Sequence, residues 1–69
     1  MKQLDLEKTF TYQPPKAGQP ERYQKIRSKA KELAEIIVEV TPMSADQSAA
    51  IRKLRECVMT ANAAIALED

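Results

Sequence analysis

Aromatic and basic side chains in the first half of the chain are the groups best suited to chemistry. Residues 10–16 read FTYQPPK and contain two of the three aromatic residues, a proline pair and a lysine. Proline restricts its own backbone and that of the preceding residue, so Tyr12 is expected on a stiff segment outside any helix. A ring on such a segment can stack on a nucleobase while nearby cations bind phosphate. Tyr12, Gln13 and Pro14 are therefore candidate binding residues, whereas Phe10 is expected to cover the apolar side of the protein.

A basic segment follows the proline pair. Residues 16–31 contain six basic residues and one acid, a local charge of +5 in a chain whose net charge is only +1. This pattern is typical of a surface that binds an anion, and also of a solvated helix face. Arg27 and Lys29 are the candidates on this segment, and Arg55 and Asn62 lie seven residues apart on the second predicted helix. Arg55 can instead be the charged flank of a helix seam, and Asn62 a polar residue that fixes register at an interface.

Catalytic chemistry is poorly represented in the composition. The chain has no histidine to serve as the base beside a nucleophile. Its one cysteine, Cys57, falls on the apolar side of the second predicted helix, where thiols are usually inert. One glycine cannot form a phosphate-binding loop, and no cysteine or carboxylate cluster has metal-ligand spacing. We therefore expect a binding protein, not an enzyme, with no cofactor and no metal.

Two amphipathic helices are predicted to position the candidate residues. Apolar residues spaced three and four apart predict one helix over residues 20–41 and another over residues 44–67. Pro42 ends the first helix, because the residue before a proline leaves the helical region. Ser44 and Gln47 have the form of a capping box that begins the second helix. The short connection predicts an antiparallel hairpin.

The predicted fold class is all-α, a single domain over residues 1–69. Residues 1–19 form an N-terminal segment with an extended, proline-containing arm, and a short helical turn is expected within residues 1–9. The apolar positions exceed what one hairpin can bury, and Ala64 belongs to a second apolar line on the second helix. Because disulfides and zinc are excluded, a homo-oligomer is the expected source of further burial.

Targeting signals and membrane spans are not evident in the sequence. The longest apolar run is Ala63 to Leu67, far short of the roughly 20 residues that a membrane span needs. A pI of about 7.8 is lower than expected for a protein that binds DNA or RNA. The expected location is the cytoplasm, with no membrane and no nucleic acid as partners.

Three stretches of the sequence together resemble a known family. They are TYQPPKAGQPERYQKIR at 11–27, KELAEIIVEVTP at 31–42 and VMTANAAIA at 58–66. They cover most of the chain in order and resemble a family of small phage proteins that counter the CBASS and Thoeris immune systems. The resemblance implies a sponge that binds cyclic oligonucleotide second messengers tightly, without cleaving them, in the cytoplasm of the infected bacterium. It also implies a homohexamer with cyclic dinucleotide pockets between protomers.

The resemblance also assigns roles to individual residues. It implies that Tyr12 stacks on a base and that Arg27 meets the phosphates. Some family members hold cyclic trinucleotides in a second pocket, for which Gln13 and Lys29 are weaker candidates, and some bind cyclic ADP-ribose-type signals. This chain departs from the family at Thr60, where tryptophan is frequent, and at Leu67, where a longer basic residue is frequent. The second departure removes a cation near the end of the second predicted helix, which bears on the trinucleotide pocket or its affinity.

A different class of function fits part of the same pattern. An oligomeric hairpin that binds a protein or a nucleic acid, with no small ligand, also accounts for the apolar stripes and basic flanks. Such a module has no need of Tyr12 and two prolines beside the basic segment, so the arm distinguishes the two hypotheses.

Overall fold

Three helices form the described part of the chain. The computed structural model describes residues 5–68, with α1 at Leu6–Thr9, α2 at Gln19–Val40 and α3 at Ala45–Ala66. No strand occurs within these residues, and α2 packs against α3, which confirms the predicted all-helical class. The two long helices have 22 residues each, about 33 Å at 1.5 Å per residue. Their ends differ from the predicted ends by about one residue.

The N-terminal segment contains α1 as well as an irregular part. A short turn was expected within residues 1–9, of which residues 1–4 lie outside the described part. Asp5 begins α1, since its side chain accepts a hydrogen bond from the backbone N–H of Lys8 at 3.1 Å. Residues 10–18, here called the arm, connect α1 to α2 and contain no helix or strand.

A glycine and a glutamine start α2. Gly18 has φ of 83°, in the left-handed region where glycine carries no steric cost. The turn before it is closed by the backbone N–H of Gln19, which donates to the carbonyl of Lys16 at 3.1 Å. Pro20 follows in the first turn of α2, where a missing N–H leaves no helical hydrogen bond unmade.

The turn between α2 and α3 is closed by side chains. Thr41 ends α2 with both its backbone N–H and its hydroxyl donating to the carbonyl of Ile37. Ser44 caps α3 by accepting from the backbone N–H of Gln47 at 3.1 Å, as predicted. The side chain of Gln47 does not complete the predicted capping box. Its Nε2 donates instead to the carbonyls of Val38 and Thr41, because the preceding helix ends within reach.

Burial in the hairpin is limited. Ile65 is the one buried apolar residue within residues 5–68, with 7% of its surface exposed. Phe10 is 82% exposed, so the expectation that it covers the apolar side of the hairpin is wrong for the single chain. Near the turn, four apolar side chains are also exposed: Ile36, Val38, Val40 and Met43.

Candidate functional site

Two apolar grooves run along the hairpin, one on each side of the α2–α3 seam. They share Ala30, Leu54 and Val58, which form a common floor. The first, here called the Arg27 groove, has a volume of about 300 Å³, and the second, the Lys29 groove, about 420 Å³. Their linings are apolar except for lysines, arginines and one thiol, and neither includes a carboxylate.

The Arg27 groove brings together two of the predicted site residues. Arg27 of α2 and Arg55 of α3 both line it, with Lys31 as a third cation and Met59 on the wall. Arg27 donates through Nη2 to the side-chain oxygen of Gln24. Within residues 5–68, neither arginine forms an ion pair, so their charges stay available to an incoming anion. An arginine can bind phosphate through two parallel hydrogen bonds.

The Lys29 groove lies on the opposite side of the seam. Lys29 lines it together with Lys25 and Cys57. Lys29 forms an exposed ion pair with Glu32, with Nζ and Oε2 separated by 3.3 Å. A surface pair of this kind contributes at most about 1 kcal/mol, so it is easily exchanged for a ligand contact. Arg27 and Lys29 therefore belong to separate surfaces in one chain, although they are only two residues apart.

The arm presents Tyr12 to solvent. Its surface is 72% exposed, and the ring makes no hydrogen bond or ring contact within residues 5–68. Pro14 lies two residues after Tyr12 and is also exposed. Gln13 is held differently, since its Nε2 donates to the carbonyls of Lys8 and Thr11 at 3.1 and 3.2 Å. Its amide nitrogen is thus engaged within the chain, which leaves the side-chain oxygen as its free contact.

Asn62 has a buried polar atom without a partner. Its Oδ1 is inaccessible to solvent and accepts no hydrogen bond. The bonds that join Gln19 to Ile65 and Gln47 to Val38 fix the antiparallel register, which places Asn62 level with about Tyr23. An unsatisfied buried acceptor costs free energy, and Asn62 lines neither groove, so the structure does not bring it to the other predicted site residues. Arg55 lies about 10 Å further along α3, at 1.5 Å per residue.

Polar contacts connect the arm to the open end of the hairpin. This open-end cluster comprises Lys16, Gln19, Arg22, Ile65 and Glu68. Lys16 Nζ donates to the backbone carbonyl of Glu68 at 2.9 Å. Arg22 Nη1 donates to both carboxylate oxygens of Glu68, at 2.8 and 2.7 Å. These hydrogen bonds from Arg22 lower the pKa of Glu68. Burial offsets part of this effect, and the positive charges of Arg22 and Lys16 lower the pKa further by smaller amounts.

The open-end cluster was not predicted from the sequence. Glutamine is usually exposed, so a Gln between glycine and proline gives no sign that it will be buried. The one available signal was position, because a polar residue at the start of a helix often satisfies nearby backbone groups. The carbonyl contacts of Lys16 and Gln19 are 52 and 46 residues apart in sequence and follow only from the hairpin register.

Residues 5–68 contain no group of three or more histidines, cysteines or acids that could hold a metal ion. No helix within these residues is long and apolar enough to cross a membrane.

Comparison with known proteins gives one match. The model of the family described as Acb2/Tad1, hairpin domain, matches residues 2–66. No curated protein matches the chain, and no solved structure matches it.

The Arg22–Glu68 pair predicts a pH-dependent stability. The pKa of Glu68 lies below its ordinary value of 4.5 in the folded chain, so the pair adds stability above that pH. The contribution is lost as the pH falls through the folded value. We expect Glu68→Gln to lower Tm at about pH 7, and the difference from wild type to shrink below about pH 4.5. Thermal unfolding followed by circular dichroism measures this.

The control for this measurement is Glu56→Gln on the same helix. Glu56 is exposed and has no ion pair within residues 5–68. The control should change Tm little at either pH. A Glu68→Gln difference that stays constant down to about pH 3 contradicts the assignment.

Proposed function

Because the chain belongs to the Acb2/Tad1 hairpin domain family of anti-CBASS and anti-Thoeris sponges, we propose that it sequesters cyclic oligonucleotide second messengers. Sequestration without cleavage keeps the messenger from the host effector, in the cytoplasm of the infected bacterium. The ligands proposed are cyclic dinucleotides, with cyclic trinucleotides or cyclic ADP-ribose-type signals as further members of the class.

The Arg27 groove is the observation that carries the proposal. A cyclic dinucleotide joins two flat bases to two phosphates, so its site needs apolar contact and cations side by side. The groove offers an apolar floor with Arg27, Lys31 and Arg55 at its edge and no carboxylate to repel phosphate. A plain charged helix flank has no need of an acid-free groove, so this arrangement supports the binding role over a solvated face.

A second copy is required to complete the proposed site. Tyr12 lies on the arm, and it lines neither the Arg27 groove nor the Lys29 groove of its own chain. We propose that Tyr12 of one protomer stacks on a base held over Arg27 of another. A two-fold axis through such a site would use each residue twice for one symmetric ligand.

The Lys29 groove is proposed as the second site, for a larger ring. Lys25 and Lys29 supply cations above an apolar floor. Gln13 does not line this groove in its own chain, so we propose that its unengaged side-chain oxygen reaches the ligand from another protomer. Asn62 does not line the groove either, and its Oδ1 is buried. Leu67, which ends α3, supplies no cation there, so we expect the second site to be the weaker one.

The proposed function is tested by binding and recovery of the ligand. A panel of cyclic di- and trinucleotides is added to the protein and thermal unfolding is followed. A ligand at 100 times its Kd should add about 2.7 kcal/mol to stability. Heat denaturation of the complex should then release the ligand intact, as judged by chromatography. No shift with any member contradicts binding, and cleaved products with nuclease excluded contradict sequestration.

Tyr12→Ala and Arg27→Ala should weaken binding in different ways. Loss of stacking should cost about 1–3 kcal/mol per base and depend little on salt. Loss of Arg27 should flatten the salt dependence of binding, and Arg27→Lys should restore affinity only partly because the paired hydrogen bonds are lost. Isothermal titration at two salt concentrations measures both effects.

Lys53→Ala, an exposed lysine outside both grooves, is the control. Wild-type affinity in both variants, with assembly intact, places the site elsewhere.

Assembly is proposed to be a homohexamer. The exposed apolar side chains near the turn and the two open grooves leave more apolar surface than one hairpin can bury. Light scattering should report a mass well above the 7.8 kDa of one chain. Ala64→Glu should reduce that mass, because it places a charge on an exposed apolar line of α3. Thr60→Glu, an exposed polar position one turn away, is the comparison variant. A monomer at micromolar concentration refutes the assembly.

A further inference from the structure

Gln19 is a polar side chain in a place where polar side chains are rare. It is 3% exposed and is the one buried polar residue within residues 5–68. Both ends of its amide are used. Oε1 accepts from the backbone N–H of Lys16 at 2.9 Å, and Nε2 donates to the backbone carbonyl of Ile65 at 2.9 Å. One side chain thus joins the last part of the arm to the end of α3.

The contacts around Lys16 fix the direction in which the arm leaves the hairpin. The backbone N–H and C=O of Lys16 are both bonded to Gln19, one to its side chain and one to its N–H. Lys16 Nζ adds a bond to the carbonyl of Glu68. A residue held by its N–H, its C=O and its side chain has little freedom to rotate, so the chain before it starts from a fixed orientation.

The segment between this anchor and Tyr12 is short and stiff. Three residues lie between Tyr12 and Lys16, so the four residue steps span at most about 14 Å. Pro14 and Pro15 have fixed φ angles, and they restrict the residues before them. Gln13 is tied to the carbonyls of Lys8 and Thr11. The fixed backbone of Lys16 therefore restricts the position that the ring of Tyr12 can take.

We infer that Gln19 is a positioning residue, which sets the affinity for the nucleotide ligand by holding the arm so that Tyr12 faces its base. The inference rests on the proposed function, because Tyr12 must first contact the ligand. Gln19 itself contacts no ligand in this scheme. Its removal should mobilise the arm, so that part of the stacking contact is lost to the entropy of ordering the ring.

Gln19→Met tests the inference, because methionine keeps the length of the side chain but removes both hydrogen bonds. The matched control is Gln47→Met. Gln47 fastens the opposite end of the hairpin through its own side-chain amide and lies far from the arm. Both changes should lower stability, which urea denaturation measures. Only Gln19→Met should alter the arm.

Binding is compared in four proteins: wild type, Gln19→Met, Tyr12→Ala and the double variant. The probe is the cyclic dinucleotide that binds wild type most tightly in the panel above. Gln19→Met should weaken binding by about 5- to 150-fold at most, the range for loss of one stacked base. The double variant should bind no more weakly than Tyr12→Ala alone, because Gln19 acts through Tyr12. Gln47→Met should stay within about twofold of wild type.

Two binding results overturn the inference. The first is a loss of affinity in the double variant that equals the product of the two single losses, because Gln19 then acts independently of Tyr12. The other is an equal loss in Gln47→Met, since general stability then explains the effect.

A measurement without ligand separates this inference from the proposed function. Trypsin cleaves after Lys16 only when the local backbone opens, so the rate of that cut in the assembled protein reports the anchor. We expect Gln19→Met to be cut there several-fold faster than wild type, and Gln47→Met at close to the wild-type rate. Equal rates in all three refute the anchor. If wild type binds no cyclic nucleotide, the proposed function fails together with the role of Gln19 in affinity, while the cleavage rates still decide whether Gln19 anchors the arm.

Discussion

A single line of contact between two helices cannot enclose a core, and the rest of the structure follows from that limit. Each residue of the α2–α3 seam is covered by its partner helix on one side only, which is why the seam residues Leu54 and Val58 remain partly exposed. Ile65 is the buried exception, and it lies at the open end, where Lys16 and Gln19 bond to backbone carbonyls of Glu68 and Ile65. The grooves beside the seam stay open because, within residues 5–68, α2 and α3 pack only on each other and the short α1 packs on neither. These grooves are where we propose that a ligand and a further protomer dock.

Polar side chains secure the two ends of this thin hairpin. Gln47 bonds to the carbonyls of α2 at the turn, and Gln19 bonds to the carbonyl of Ile65 at the open end. Each amide donates to carbonyls near the end of a helix, where intrahelical partners are fewer. Because a typical hydrogen bond contributes only about 1 kcal/mol, these contacts fix register and direction more than they add stability. The contacts of Gln19 also tie the arm to the end of α3, so the requirements of the fold and of the proposed site meet at the open-end cluster.

The sequence predicted the helices well because their signals are local. The three-and-four spacing, Pro42 and the Ser44 cap each act within a few residues, and the helix ends came within about one residue of the structure. Phe10 was misjudged because a general preference for burial does not say which surface is available, and one hairpin offers too little. Arg27 and Arg55 line one groove because the antiparallel register brings them together. Arg27 and Lys29 line different grooves because residues two apart on a helix do not share a face. Gln19 and Glu68 were missed because their contacts lie across the whole length of the chain.

The common floor of the two grooves has a consequence for how such a protein can change over generations. Ala30, Leu54 and Val58 face both grooves, so one substitution among them alters both surfaces at once. The residues at the edges each line a single groove, such as Lys25 on one side and Lys31 on the other. Selection for a new ligand on one side can therefore act through edge residues without disturbing the other side. Both grooves therefore depend on the same floor residues, and a change in the floor cannot alter one groove without altering the other.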